Sequence, residues 1–196
     1  MIGVLPNQEI EKLIKIGAIS SDVPIESEQI QPASLDMRLG SKAFRIRASF
    51  LPGNREKVEE RLKSLQMHEI DLRGGAVLEK GCVYLVPLLE VLKLPTDIQA
   101  AANAKSSTGR LDLLTRTISD SGEEFDRISS GYSGKLYAEI CPRSFSVLVR
   151  KGMKLNQIRF RNKNTILNDE SLKALHAKEK LVPGNAVIDD GLGFSV

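Results

Sequence analysis

The chain has 196 residues, of which 41% are apolar and 27% are charged, and its net charge at neutral pH is +3. This composition is typical of a globular protein with one main core, and such a small charge excess does not indicate a surface built to coat a nucleic acid. The six phenylalanines and three tyrosines are too scattered for the interleaved basic and aromatic pattern of single-strand binders, and tryptophan is absent. We therefore expect no nucleic-acid polymer as a partner.

The N-terminal segment and the cysteines favour a cytoplasmic protein. MIGVLPNQEIEKL has neither the basic region nor the apolar run of a signal peptide, and no later segment has the length and hydropathy of a membrane span. Cys82 and Cys141 stand far apart, without a CxxC pair, and the only histidines are His68 and His176. This pattern fits reduced thiols and argues against a zinc site.

Two segments in the first third of the chain have helical spacing of their apolar residues. Residues 7–17 form the first, with Asn7 as the expected N-cap and Gly17 in the expected C-terminal turn. Residues 54–66, NREKVEERLKSLQ, form the second, with an apolar stripe that begins at Val58. We expect the charged remainder of this second helix to be solvated.

Short strand-like segments dominate the rest of the chain. Residues 30–40, IQPASLDMRLG, alternate in polarity and end at Gly40. The runs AVLEKGCVYLV, GKLYAEI and FSVLVRKGMKLNQIRF follow, with glycine-containing turns expected at Lys80-Gly81, Gly134 and Lys151-Gly152. This spacing predicts an antiparallel sandwich or jelly-roll-like barrel with few helices.

The pattern of apolar and polar residues changes near the C-terminal end of the sequence. NDESLKALHAKEKLV is typical of a capped amphipathic helix, and PGNAVIDDGLGFSV reads as the start of another strand region. We therefore expect one domain over residues 1–163. Residues 164–196 are expected to form a helix and linker that lead towards a second half that is absent from the sequence.

The stretch NAKSSTGRL, residues 103–111, concentrates two cations, three hydroxyls and a glycine. Such donors favour an anion, and phosphate is the anion most often bound in this way. The chain contains neither a Walker motif nor GxGxxG, so a nucleotide would be bound by another kind of fold. The simpler interpretation is a polar turn that opens a short helix, with Ser or Thr as its cap and Arg110 exposed.

Glu139 belongs to the strand-like segment GKLYAEI. Strict alternation places Leu136, Ala138 and Ile140 on one face of this strand, and Lys135, Tyr137 and Glu139 on the other. If the apolar face packs on the core, Glu139 projects from the opposite face. The simpler alternative is a solvent-facing glutamate on an ordinary strand.

Four motifs occur in an order that resembles the dCTP deaminase branch of the dUTPase superfamily. They are IQPASLDMRLG, AKSSTGRLDLL, DRISSGYSGKLYAEI and VLVRKGMKLNQIRF, which together span residues 30 to 160. The opening segment, the helix near residue 60 and the long connection from Thr117 to Asp126 most resemble the longer, two-part bacterial members. The resemblance implies a mainly β fold of the dUTPase-like type, a β-clip or distorted jelly-roll barrel with a few peripheral helices. It also implies a homotrimer with active sites between subunits.

The reaction implied by this resemblance is hydrolytic deamination of dCTP to dUTP and ammonia without a catalytic metal. Glu139 matches the family's catalytic glutamate, which takes a proton from the water that attacks C4 and later delivers one to the leaving nitrogen. Arg110 matches the arginine that orients this glutamate, and Ser106 matches a serine of the same cluster. The backbones of Tyr137 and Ala138 match those that face the base.

The resemblance also assigns the triphosphate and sugar contacts. Lys105 and Ser107 fall where the family touches phosphate, and Lys105 replaces the usual arginine without its bidentate fork. Mg²⁺ would accompany the triphosphate as a charge partner. Arg127 matches the arginine before the sugar site, and Ser129 replaces an aspartate that meets the 3′-hydroxyl of deoxyribose.

Other functions stay open at this point. A dUTP diphosphatase, alone or coupled to deamination, would release pyrophosphate, although the missing aspartate at Ser129 argues against it. A nucleotide-binding or trimer-building half without independent activity is a second alternative, and a general all-β interaction domain is a third. The zinc deaminases of bases need a PCxxC pair, which ICPRSF lacks.

Overall fold

The computed structural model describes residues 3–54, 56–120, 122–162, 167–184, 186–189 and 192–195. The helices are α1 Asn7–Lys15, α2 Val58–Leu65, α3 Ser106–Gly109 and α4 Asp169–Glu179, and Ser27–Gln29 forms a 3-10 turn. The strands are β1 Ile19–Ser20, β2 Ile30–Gln31, β3 Ser34–Arg38, β4 Lys42–Ile46, β5 Gln66–Asp71, β6 Ala76–Leu78, β7 Val83–Lys93, β8 Ile98–Ala104, β9 Leu113–Ser119, β10 Arg127–Ile128, β11 Ser133–Pro142, β12 Val147–Val149, β13 Lys154–Asn162, β14 Ala186–Asp189 and β15 Leu192–Ser195. Over these ranges, none of the helices is long and apolar enough to cross a lipid bilayer.

Two antiparallel sheets contribute the main core. The first has the strand order β5-β4-β7-β11-β9, with β1 paired to the far end of β7, and the second has the order β10-β8-β13-β3-β2. The main cluster of buried apolar side chains combines residues from both sheets, as a sandwich requires. The predicted mainly β architecture is therefore confirmed.

Both faces of β11 are buried. Its residues Leu136, Ala138 and Ile140 belong to the main core, as the alternation predicted. Tyr137, on the opposite face, belongs to a second apolar cluster that includes two residues of α2 and Phe50. The apolar stripe of α2 therefore covers the outer face of the first sheet, and this cover determines the surroundings of Glu139.

A close approach of two backbones explains the glycine that ends the first predicted strand. The pairing of β7 with β11 shifts in register near Pro87: Lys135 pairs with Val91, whereas Tyr137 pairs with Pro87. The Pro87 carbonyl accepts a hydrogen bond from the Gly40 N–H at 2.8 Å. A Cβ at Gly40 would lie 2.6 Å from that oxygen, so a larger residue would push the two segments apart.

Arg38, the last residue of β3, is buried in a hydrogen-bonded network. Arg38 donates from Nε to Glu90 Oε1 and from its backbone N–H to Glu90 Oε2, both at 2.8 Å. Gln29 Nε2 donates to the same Oε1 at 3.0 Å. The other guanidinium nitrogens donate to oxygens of residues 21–24. Because Glu90 lies on β7, this network ties the N-terminal segment to both sheets.

Some local details differ from the sequence-based expectations. Asn7 is the first residue of α1, and Pro6 occupies the cap position, where its carbonyl accepts hydrogen bonds from the N–H groups of Glu9 and Ile10 at 3.0 and 3.1 Å. Gly134 lies inside β11, opposite Leu92, so the expected turn at this glycine is wrong. The turn falls three residues earlier, at Gly131, whose φ of +69° suits glycine.

The helix predicted after residue 163 is present as α4. Its N-cap is Asn168, whose side chain accepts a hydrogen bond from the Ser171 N–H at 2.9 Å. The proposed division into residues 1–163 and 164–196 stays a prediction, and residues 163–166 around that boundary lie outside the described residues.

Candidate active site

Glu139 lies in the middle of β11 and is buried, with only 2% of its surface exposed. Its cross-strand neighbours are Arg116 on β9 and Leu85 on β7. The alternative of a solvent-facing glutamate is wrong, because the outer face of this sheet is also packed. A buried carboxylate needs a compensating charge or hydrogen bonds.

Arg116 supplies that compensation through one carboxylate oxygen. Its Nε and Nη2 atoms lie 3.1 and 2.5 Å from Glu139 Oε1. Nη2 also donates to Ser49 Oγ at 3.0 Å, and the guanidinium carbon lies 3.7 Å from the centroid of the Phe125 ring. The arginine is therefore held from three sides.

The other oxygen of Glu139, Oε2, has different surroundings. Oε2 is buried and has no hydrogen-bond partner among the described residues. A buried polar atom without a partner costs about 1–3 kcal/mol, which makes a missing donor the simplest explanation. Water, a ligand or a second protein chain could provide that donor.

A second acidic side chain stands close to this ion pair. Asp126 Oδ1 accepts a hydrogen bond from the Thr117 N–H at 2.7 Å. Burial raises the pKa of the Asp126 carboxyl, and the negative charge of Glu139 adds to the rise, while Thr117 and the charge of Arg116 oppose it. Asp126 therefore holds a proton more readily than an ordinary aspartate.

The donor-rich turn at residues 103–111 joins β8 to α3. The Lys105 N–H and the Thr108 hydroxyl both donate to the Leu155 carbonyl, at 2.8 and 3.1 Å, which fixes the turn to β13. Lys105, not Ser or Thr, occupies the cap position of α3. The remaining candidate residues of this turn are exposed: Ser106, Ser107 and Arg110. Across the described part of the chain, their side chains form no hydrogen bond or ion pair, so they are available to a ligand.

Lys105 has a partner within the chain. Its ammonium group pairs with Asp36 on β3, whose side chain is only 2% exposed. The second oxygen of Asp36, Oδ1, is buried and unpartnered within the described ranges. Lys105 therefore balances a buried charge in addition to any contact with phosphate.

We expect Lys105→Met to lower the free energy of unfolding by about 2 kcal/mol, below the range for a fully buried pair because Lys105 is itself 27% exposed. Asp36→Asn in the same chain should recover most of this loss, since no buried charge would be left uncompensated. Urea denaturation of both single variants and the double variant measures the coupling. Lys63→Met, at an exposed lysine of α2, is the control. If the double variant lost the sum of the two single changes in the free energy of unfolding, the ion pair would not contribute to stability.

Within one chain, α3 and Glu139 are apart. β9 begins at Leu113, which pairs with Pro142, three residues beyond Glu139. At roughly 3.3 Å per residue, this offset alone is about 10 Å. Among the described residues, no hydrogen bond or ion pair connects Glu139 with Ser106 or Arg110. A single chain therefore does not form the predicted cluster of these three residues.

The two residues assigned to the sugar lie beside one cavity. Arg127 and Ser129 line a cavity of about 330 Å³ near the edge strand β10. Arg127 pairs with Glu124 at 2.7 Å, and both side chains are more than half exposed. The neighbouring Ser130 Oγ is buried and unpartnered in the described part of the chain. The structure thus brings the predicted sugar contacts together, and their role stays a prediction.

Tyr137 and Ala138 occupy the interior of the first sheet, with strand partners on both sides. Pro87, which has no N–H, stands opposite Tyr137 and interrupts the ladder of hydrogen bonds there. The presentation of these two backbones to a base stays a prediction. Burial raises the pKa of the Tyr137 hydroxyl, and nearby carboxylates add to this effect.

Sequence reasoning did not single out Arg116, Asp126 or Asp36. The signal for Arg116 was available in LLTRTIS, where it shares a strand face with Ile118. An arginine in the interior of an otherwise uncharged strand needs a counter-charge if that face is covered. The identity of the counter-charge depended on strand register, which the sequence does not display.

Metal-binding side chains are not grouped in the part of the chain that the structure describes: no three His, Cys, Asp or Glu side chains come together there. Cys82 and Cys141 are both free thiols, and Cys141 is buried.

The chain is similar to known deaminases over most of its length. The family of 2′-deoxycytidine 5′-triphosphate deaminase N-terminal domains matches residues 1–164. A dUMP-forming dCTP deaminase of Nanoarchaeum equitans is 30% identical, and the match covers 90% of this chain and 93% of that protein. The dCTP deaminase of Haemophilus influenzae is 32% identical, with 69% and 70% covered.

A solved structure is also similar. The crystal structure of 2′-deoxycytidine 5′-triphosphate deaminase from Agrobacterium tumefaciens is 51% identical in sequence, with a TM-score of 0.82. The match covers 94% of this chain and 55% of that chain. The present chain therefore spans about half the length of the solved protein.

Proposed function

The chain belongs to the 2′-deoxycytidine 5′-triphosphate deaminase family, and from this membership we propose that it hydrolyses dCTP to dUTP and ammonia. The family predicted from the four ordered motifs is confirmed, and so is its dUTPase-like β fold. The observation that supports the activity best is the buried Glu139, with one oxygen held by Arg116 and the other unpartnered among the described residues.

In the proposed reaction, Glu139 is the general base and then the general acid. Oε2 takes a proton from a water molecule whose oxygen bonds to C4 of the cytosine. The carboxyl returns that proton to the exocyclic nitrogen, and the bond from C4 to that nitrogen breaks. The second proton of the water moves from the oxygen on C4 to N3 of the ring. One water proton therefore leaves within ammonia and the other ends on N3 of uracil, so atoms and charge balance.

The proposal requires a second copy of the chain. Ser106 and Arg110 are exposed donors without side-chain partners in the described ranges, and they lie away from Glu139 in the same chain. We propose that α3 of a neighbouring subunit brings them to Glu139 in a homotrimer. Arg110 would stabilise the charge that develops on the tetrahedral centre, and Ser106 would donate a hydrogen bond within the same cluster.

The substrate is proposed to be the Mg²⁺ complex of dCTP. Ser107 would contact the triphosphate from an exposed position, and Lys105 from a partly buried one beside Asp36. Arg127 and Ser129 would contact the sugar from the cavity that they line. Since deoxynucleoside triphosphates are metabolites of the cytoplasm, we place the protein there.

Release of ammonia from dCTP by this chain tests the proposal. We expect turnover of dCTP and much slower turnover of dCMP and deoxycytidine, because both lack phosphates that the proposed contacts need. CTP, which differs from dCTP by an added 2′-hydroxyl, is compared in the same assay. Pyrophosphate is measured in the same samples, since several similar proteins are named dUMP-forming. Pyrophosphate from dUTP would support the bifunctional alternative. Calorimetric binding of dCTP without ammonia would instead support a nucleotide-binding half and contradict the deaminase.

A further inference from the structure

The guanidinium of Arg116 binds Glu139 in an asymmetric way. An arginine beside a carboxylate commonly forms two parallel hydrogen bonds, one to each oxygen. Here both nitrogens that face Glu139, Nε and Nη2, donate to Oε1. Oε2 receives neither of these hydrogen bonds and is left to other partners.

The arginine itself is restrained. Ser49 accepts a hydrogen bond from Nη2, and the Phe125 ring lies against the guanidinium plane. These contacts come from two segments outside β9. The guanidinium therefore cannot rotate to bond both carboxylate oxygens without losing its contact with Ser49 or with Phe125. Glu139 is thereby held in one orientation, with its two oxygens in different environments.

We propose that Arg116 is the positioning residue of the deaminase site: it holds Oε1 of Glu139 and thereby presents Oε2 as the proton acceptor for the attacking water. This inference rests on the proposed function of Glu139. Arg116 acts through Glu139 and does not itself contact the reacting atoms.

The charge of Arg116 also acts on Asp126, because it opposes the rise that burial causes in the pKa of that carboxyl. Arg116 therefore compensates charge at Asp126 in addition to orienting Glu139.

The test compares Arg116→Ala and Arg116→Lys with the wild-type chain in the ammonia assay. We expect Arg116→Ala to lower kcat by about 10², the loss typical of a misplaced reacting group, with KM changed far less. Arg116→Lys keeps the charge but loses the pair of hydrogen bonds from Nε and Nη2 to Oε1, so its kcat should fall by roughly tenfold. Added guanidinium, below denaturing concentration, should restore part of the kcat of Arg116→Ala and none of the kcat of Glu139→Gln.

The matched control is Arg45→Ala, which removes an arginine of the same sheet that pairs with the exposed Glu79 at 3.0 Å. This variant should keep the wild-type kcat. Thermal unfolding shows whether each variant is folded. If Arg116→Ala does not fold, the kcat of Arg116→Lys tests the proposal in its place. If the wild type is active, two results would overturn the positioning role alone. One is a wild-type kcat for Arg116→Lys, and the other is a folded Arg116→Ala variant that added guanidinium does not rescue. A wild type that releases no ammonia would overturn the proposed function and this role with it.

Discussion

Replacing Glu139 with glutamine is expected to lower the kcat of dCTP deamination by about 10² to 10⁴, the usual contribution of a positioned acid and base. The amide has nearly the same shape as the carboxylate but cannot take a proton from water at Oε2. Substrate binding should change little, because the proposed contacts to phosphate and sugar lie elsewhere. Steady-state ammonia release, with separate kcat and KM, measures the effect.

The control for this substitution is Glu79→Gln, which alters another glutamate that pairs with an arginine, in this case on the surface. It should leave kcat unchanged. Thermal unfolding of Glu139→Gln is needed as well, because the substitution leaves the charge of Arg116 without its counter-charge. A folded Glu139→Gln variant with the wild-type rate would remove this residue from the mechanism.

Replacing Glu90 with glutamine is expected to lower the free energy of unfolding by about 3–5 kcal/mol. Glu90 is fully buried, and Arg38 beside it has a side chain only 4% exposed. The substitution leaves the guanidinium charge uncompensated in the interior and removes an acceptor from a network that also includes Gln29. Urea denaturation of both proteins, with the midpoint and slope compared, gives the change.

An ion pair on the surface provides the comparison. Lys42 and Glu69 lie 2.8 Å apart, but both side chains are about half exposed. Glu69→Gln should therefore change the free energy of unfolding by less than about 1 kcal/mol. Equal effects of Glu90→Gln and Glu69→Gln would show that burial does not govern the strength of these pairs.

The two faces of β11 were predictable from the sequence. Alternation in GKLYAEI assigned Ala138 and Glu139 to opposite faces, and the structure agrees, because the period of two is a local property of an extended backbone. The glycine at the end of the first predicted strand was recognised as a boundary. Its cause, the carbonyl of Pro87 at close range, became visible only when two distant segments were brought together.

The surroundings of Glu139 were much less predictable. Whether it faced solvent depended on α2 and the segment around Phe50, which cover the outer face of the sheet. Its partner Arg116 lies 23 residues earlier in the chain, and a shift of one residue in the pairing of β9 and β11 would have turned the two side chains to opposite faces. The partner of Lys105 was equally hidden, because Lys105 caps α3 whereas the buried Asp36 lies on β3, far away in the sequence.

The sequence by itself determined the family, the antiparallel β architecture and the face on which each candidate residue of β11 lies, because ordered motifs and strand periodicity are properties of neighbouring residues. Only the tertiary structure decided that Glu139 is buried, that Arg116 holds one of its oxygens and that Lys105 balances a hidden aspartate. These features depend on strand register and on the covering of a sheet face. Both are set by contacts between residues far apart in the chain, and no short stretch of sequence records them.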